Sequence, residues 1–267
     1  MYDILCAILL GILEGLTEFL PVSSTGHLIL FGHILGFEGT AADTFKIVIQ
    51  LGAVLAVLVL YWKRYMDILK RLVAFDFSAS RKLNAIHMLL AMIPALVVYL
   101  IFKDVIKQIL FGPGPVLIGL IVGGVLMIFA ARFKRKVTAV ESDEISYGQA
   151  FGIGVFQCLA LWPGFSRSGS TISGGMLLGT SQKAAADFTF MISVPVMLGA
   201  TVLDLIDSRE YLTGGDLVLF LIGFIAAFVV AMIAVVTFLK LIKRLRLEWF
   251  ALYRFVIAVL FYLFIMM

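Results

Sequence analysis

Charge is scarce in this chain. Asp, Glu, Lys and Arg make up 14% of its 267 residues, against 62% hydrophobic residues. Soluble globular chains carry about 25% charged and about 45–50% apolar residues, so a water-soluble domain is excluded. Cysteine is scarce too. Cys6 and Cys158 both lie in apolar segments and read as buried free thiols, not as a disulfide or a metal site. Short alternating segments of the kind that build a membrane β-barrel are missing. A basic n-region is missing from Met1-Tyr2-Asp3, and Glu14 and Glu18 interrupt the apolar stretch behind it, so no cleavable signal is expected there. The net charge of +4 comes from basic residues in loops between apolar runs, which argues against a nucleic-acid partner.

What is abundant is long apolar sequence. A helix needs roughly 20 residues to cross hydrocarbon, and the runs at 44–62, 85–102, 115–131, 186–206, 216–239 and 249–267 meet that length. The expectation is one all-α integral membrane domain over 1–267, with about six transmembrane helices and membrane lipids as its surroundings. Segments 63–82, 132–136 and 240–246 hold six, four and four Lys or Arg. Positive loops face the cytoplasm. These three share that side only if segments 4–36 and 147–180 enter the membrane and return without crossing. Each has a breaker in mid-run, Leu20-Pro21-Val22-Ser23 and Trp162-Pro163-Gly164-Phe165, so each reads as a re-entrant helical hairpin. Both chain ends and Thr213 should then lie outside, and Ser78 inside.

The two hairpins also resemble one another. Shifting the chain by 143 residues lays 7–60 on 150–203 without a gap, pairing Gly11 with Gly154, Ser23 with Ser166, Gly26 with Gly169, Gly36 with Gly179 and Phe45 with Phe188. Three full spans separate the copies, so the second should enter from the opposite face, an inverted-topology repeat. Such repeats put their sites near the bilayer midplane, where broken helices meet. The tips near 21–27 and 163–171 should therefore face each other.

Those tips hold the residues of chemical interest. Glu14 and Glu18 are four apart, on one face of the half-helix expected to end at Pro21. Two carboxylates inside a membrane repel unless a cation or a proton lies between them. A hard divalent ion suits them, and structural packing of a protonated acid is the alternative. Ser23 or Ser24 can cap the half-helix that follows, whose free N–H groups favour anions. His27 falls in its first turn, and hydroxyl with imidazole is a pairing for nucleophilic or acid–base catalysis. In the second tip Arg167 offers a planar fork to phosphate, or else neutralises Glu14 or Glu18. Ser166, Ser168, Ser170 and Thr171 add hydroxyls. The repeat divides the work, pairing Glu14 with Gln157, Glu18 with Leu161, Ser24 with Arg167 and His27 with Ser170.

The runs from Glu14 to His27 and from Pro163 to Thr171 resemble the undecaprenyl-diphosphatase family, also called the bacitracin-resistance protein family, over essentially the whole chain. The resemblance implies hydrolysis of undecaprenyl diphosphate to the monophosphate carrier in the bacterial cytoplasmic membrane. It also implies a divalent cation such as Mg²⁺ or Ca²⁺, a site open to the outer side, and resistance to bacitracin. It makes Glu14, Glu18, Ser24, His27 and Arg167 the functional residues. Within that scheme Glu14 and Glu18 hold metal, and Ser24, His27, Glu18 and Arg167 are catalytic. Arg167, Ser23, Thr25, Ser166, Ser168 and Thr171 bind the polyprenyl diphosphate. Ser24 is the favoured nucleophile with His27 moving its proton; His27 itself and metal-bound water are the alternatives. The acid-phosphatase type of lipid phosphatase does not fit, because no Lys-x6-Arg-Pro block exists and position 173 is Ser. A secondary transporter or lipid flippase is the rival class, since broken helices in inverted repeats serve both. A homodimer is compatible with all of this.

Overall fold

The computed structural model describes residues 2–76, 82–110, 112–133, 135–207, 217–242 and 244–267. The expected positions Ser78 and Thr213 lie outside them. Among the described residues, six helices are long and apolar enough to cross a membrane. They are α3 (Thr40–Leu60), α5 (Ala85–Ile109), α6 (Pro113–Arg132), α9 (Gln182–Asp207), α10 (Leu217–Leu241) and α11 (Leu247–Phe261). They fall on the six runs anticipated from hydropathy, and no strand occurs among the described residues. The chain is an all-helical integral membrane protein.

Two broken helices complete the bundle. α1 (Tyr2–Thr17) is followed by α2 (Ser24–Ile34), and α7 (Tyr147–Gln157) by a 3-10 turn at Cys158–Leu161 and then α8 (Arg167–Leu177). α2 and α8 have 11 residues each. At 1.5 Å per residue that is roughly 16 Å, about half the hydrocarbon thickness. α1 ends at Thr17 and not at Pro21, so Glu18 stands just past the helix. It still bonds from its N–H to the Glu14 carbonyl at 2.9 Å, which keeps the two carboxylates a turn apart.

Two pairs of positions set by the 143-residue shift share an unusual backbone conformation. Ser23 (φ 72°) and Ser166 (φ 74°) are both left-handed N-caps, and Gly36 and Gly179 both have positive φ (59° and 91°). α1 packs chiefly on α10, and α7 on α5. The contact is backbone to backbone. A Cβ on Gly11 would stand 2.5 Å from the Gly223 carbonyl of α10, and one on Gly154 would stand 2.6 Å from the Ala91 carbonyl of α5. Lipid tails give apolar side chains no reason to prefer protein, so small residues that admit close packing hold such helices together. α6 and α11 pack on each other, with α8 against α6 and α2 against α11.

Segment 63–82 is not simply a basic loop. α4 (Trp62–Val73) puts Lys63, Arg64, Lys70 and Arg71 beside Trp62, Leu69, Leu72 and Val73, and none of its residues is fully buried. That composition suits a helix lying in the membrane interface. Its start is pinned by Arg64, which pairs with Asp187 of α9 at 2.5 Å and with Asp143 at 2.6 Å. Tyr61 and Ser142 donate to the same Asp187.

Candidate functional site

The two breaks bring the hairpin tips into contact. Each begins at a serine in a conformation that L side chains rarely adopt. Such strain persists only where the surroundings over-determine it, and it gathers at functional sites. Here each serine caps its own half-helix, Ser23 Oγ accepting from Gly26 N–H at 3.3 Å and Ser166 Oγ from Gly169 N–H at 3.1 Å. Between the tips, Ser168 donates to the Leu20 carbonyl at 2.9 Å and Arg167 Nη2 to Glu18 Oε1 at 3.0 Å. The other oxygen of Glu18 accepts from Ser24 Oγ at 2.5 Å. One carboxylate thus joins a hydroxyl of the first tip to the guanidinium of the second. That guanidinium also stands 6.0 Å from the Phe19 ring centroid.

A cavity of ≈ 220 Å³ opens beside this junction. Glu18, Ser23, Ser24, Thr25, Ser166 and Arg167 supply much of its polar wall, and Trp162, Val196 and Met197 part of its apolar wall. Among the described residues, Gln157 Oε1 and Arg167 Nη1 in its wall, and both oxygens of Glu14 beside the Glu18 carboxyl, are buried without a hydrogen-bond partner of opposite type. Unpaired groups of this kind are costly in an interior. Their types are informative, since the carboxylate and amide oxygens accept and the guanidinium nitrogen donates. A cation satisfies the first and an anion the second. Among the described residues no three His, Cys, Asp or Glu side chains come together, so any cation must draw on other oxygens as well.

A family model described as bacitracin resistance protein BacA matches residues 7–260, a span that contains both tips. The chain belongs to the BacA family. Membership makes it a membrane hydrolase of the undecaprenyl-diphosphatase group, associated with bacitracin resistance.

Within this BacA fold the expected site residues divide. Glu18, Ser23, Ser24, Thr25, Ser166 and Arg167 line one cavity, whereas Glu14, His27, Ser168 and Thr171 do not. Glu14 is buried a turn behind Glu18. Thr171 donates to the Arg167 carbonyl at 2.8 Å and accepts from Thr189 at 2.9 Å, and Ser168 donates to the Leu20 carbonyl, so both hydroxyl protons are taken by protein carbonyls. His27 departs furthest from the expected pairing with Ser24. It is fully buried, with Nδ1 2.7 Å from the Ser23 carbonyl and Nε2 2.8 Å from the Tyr253 hydroxyl. A carbonyl only accepts, so Nδ1 carries the proton, and in the neutral ring Nε2 accepts from Tyr253. The ring is stacked on Tyr253, 5.5 Å between centroids. Glu18, and not His27, is the group bonded to Ser24.

Tyr253 and its neighbour Arg254 are absent from the motifs. Arg254 is fully buried in α11 and has no acid partner among the described residues. It donates to carbonyls instead: Leu120 at 3.1 Å, Gly119 at 3.0 Å, Gly164 at 2.9 Å and Phe165 at 2.8 Å. The first two belong to α6 and the last two to the second tip. Adjacent residues of one helix therefore hold both tips, Tyr253 through His27 and Arg254 through the 164–165 backbone. The available signal was the arginine itself, since a charge inside an apolar span is rare and functional by default.

Proposed function

We propose that this protein removes the terminal phosphate of undecaprenyl diphosphate, returning the monophosphate carrier to cell-wall synthesis. The observation that carries the reading is Glu18, bonded at once to Ser24 and to Arg167. A serine hydroxyl is a weak nucleophile and needs an adjacent base, and the Glu18 carboxylate is in hydrogen-bond contact with it. Attack by Ser24 Oγ forms an O–P bond to the terminal phosphorus and breaks the anhydride bond to the lipid monophosphate. The proton passes to Glu18. Water then cleaves the phosphoserine and releases inorganic phosphate. Arg167, with Nη1 still unpartnered, is poised to hold phosphate oxygens, and charge neutralisation of this kind is the larger part of phosphoryl-transfer catalysis.

A divalent cation, Mg²⁺ or Ca²⁺, fits beside it. Glu14 presents two buried oxygens that meet no donor among the described residues and lie beside the Glu18 carboxyl, and Glu14 and Glu18 are the residues that would hold the ion. When bound, it would neutralise diphosphate charge and polarise the anhydride. The substrate's polyprenyl chain suits an enzyme embedded in lipid. By the positive-inside rule the basic segments put both ends on the outer side of the membrane; the bacterial cytoplasmic membrane, and a site open to its outer side, are what the family resemblance implies.

The test is phosphate release from undecaprenyl diphosphate by the purified chain in detergent. Release that stops with EDTA and returns with Mg²⁺ or Ca²⁺ is the expected result. A folded chain that releases no phosphate would favour the transporter class instead.

A further inference from the structure

We propose that Gln157 is a third protein ligand of the divalent cation, supplying a neutral amide oxygen to the site of Glu14 and Glu18. The inference rests on the cation-dependent reading above. The 143-residue shift that pairs the two hairpins sets Gln157 on the position of Glu14, at the end of α7 as Glu14 stands near the end of α1. Gln157 lines the same cavity as Glu18 and Arg167 and is only 3% exposed.

Its orientation is settled by chemistry. The side-chain amide nitrogen donates to the Ala91 carbonyl of α5 at 3.1 Å. That carbonyl can only accept, so the amide cannot be flipped, and Oε1 is the atom left over. Oε1 is buried and has no partner. An ionised diphosphate has no proton to give and would be repelled by this oxygen. A cation satisfies it.

The charge balance explains why the residue is an amide. Glu14 and Glu18 already match a divalent ion. With Arg167 paired to Glu18, a third carboxylate would cancel the positive charge that remains for an anionic substrate, whereas an amide oxygen adds coordination without charge. Hard cations take carboxylate and amide oxygens together. The described residues provide no third acid, imidazole or thiol, so a neutral oxygen is the protein ligand at hand.

The experiment measures Mn²⁺ alone. Binding to the purified full chain in detergent, without lipid substrate, is read from the loss of the free-ion spin-resonance signal. Thermal unfolding checks that each variant is folded. Gln157→Leu should weaken Mn²⁺ binding by on the order of tenfold or more, the scale of effects at metal-supporting positions. Gln157→Glu should bind at least as tightly as the parent chain. Both variants lose the bond to Ala91, so a merely structural role predicts that both weaken alike, and that outcome overturns the proposal. Parent-like binding by Gln157→Leu also overturns it, with the oxygen then left to water. Gln157→Met, of similar length, replaces leucine if that variant unfolds. A folded parent chain that binds no Mn²⁺ fails earlier, at the cation itself, and is thereby distinguished from failure at Gln157.

Discussion

Replacing Arg254 by methionine tests whether α11 holds the catalytic tips in register. The substitution keeps side-chain length and removes every donor. Four carbonyls lose this donor, two on α6 that keep their helical bonds and two at Gly164 and Phe165. Hydrogen bonds from a charged donor are worth about 1.5–3 kcal/mol each, so the gross loss is roughly 6–12 kcal/mol. Against it stands the desolvation of a buried charge, several kcal/mol, which the variant no longer bears. The net destabilisation should be about 3–5 kcal/mol. The second tip should also lose its fixed position, and displacement of about 1 Å can cost on the order of 100-fold in rate. Thermal unfolding in detergent reads the first effect, and phosphate release per folded molecule reads the second. Ser24, Glu18 and Arg167 remain present, so the defect should appear in kcat. Arg254→Lys, with three donors on a point charge, should recover part of the stability and little of the rate. An Arg254→Met protein with parental melting temperature and kcat would refute the clamp.

Arg167→Lys should fold yet lose most activity, about 100-fold or more, because an ammonium cannot hold Glu18 and phosphate oxygens in one planar fork; near-parental kcat in a phosphate-release assay would mean that a point charge suffices. Quenching turnover with labelled substrate and mapping the adduct should place phosphate on Ser24, and phosphate on His27 would overturn the assignment. Orientation is checked with single cysteines at Gln108 and Val137 in a background lacking Cys6 and Cys158. Both positions are exposed, and an impermeant thiol reagent on intact cells should label position 108 and spare 137; the reverse pattern would invert the topology.

The six spans and the two breaks were readable in the chain, because each is a local property. Hydropathy over about 20 residues decides whether a helix can sit in hydrocarbon whatever surrounds it. A Pro with Ser and Gly after it interrupts a helix by its own stereochemistry, and the serine caps at 23 and 166 follow from that. The amphipathic pattern of α4 was equally local, but a count of basic residues in 63–82 hides it, since charge and periodicity are different properties of the same twelve residues. The contact of Glu18 with Arg167 was legible only as the alternative to phosphate binding, with Glu14 and Glu18 both open, because opposite charges in an apolar medium have few other partners.

Orientation around each half-helix is another matter. Ser24 and His27 are three residues apart, a spacing compatible with a shared face, yet Ser24 meets Glu18 while His27 meets Tyr253, 226 positions away. Ser168 and Thr171 carry the same hydroxyls as Ser24 but spend them on Leu20, Arg167 and Thr189. Arg254 is one more basic residue in the sequence, and in the fold it fastens α6 to the second tip. Motif and spacing by themselves determined that acids, hydroxyls and an arginine would gather where two broken helices meet. Which hydroxyl faces the cavity, and what turns the imidazole away from it, was decided by the packing of α11 against α2 and α6, because a helix has one rotational setting and only its neighbours select it.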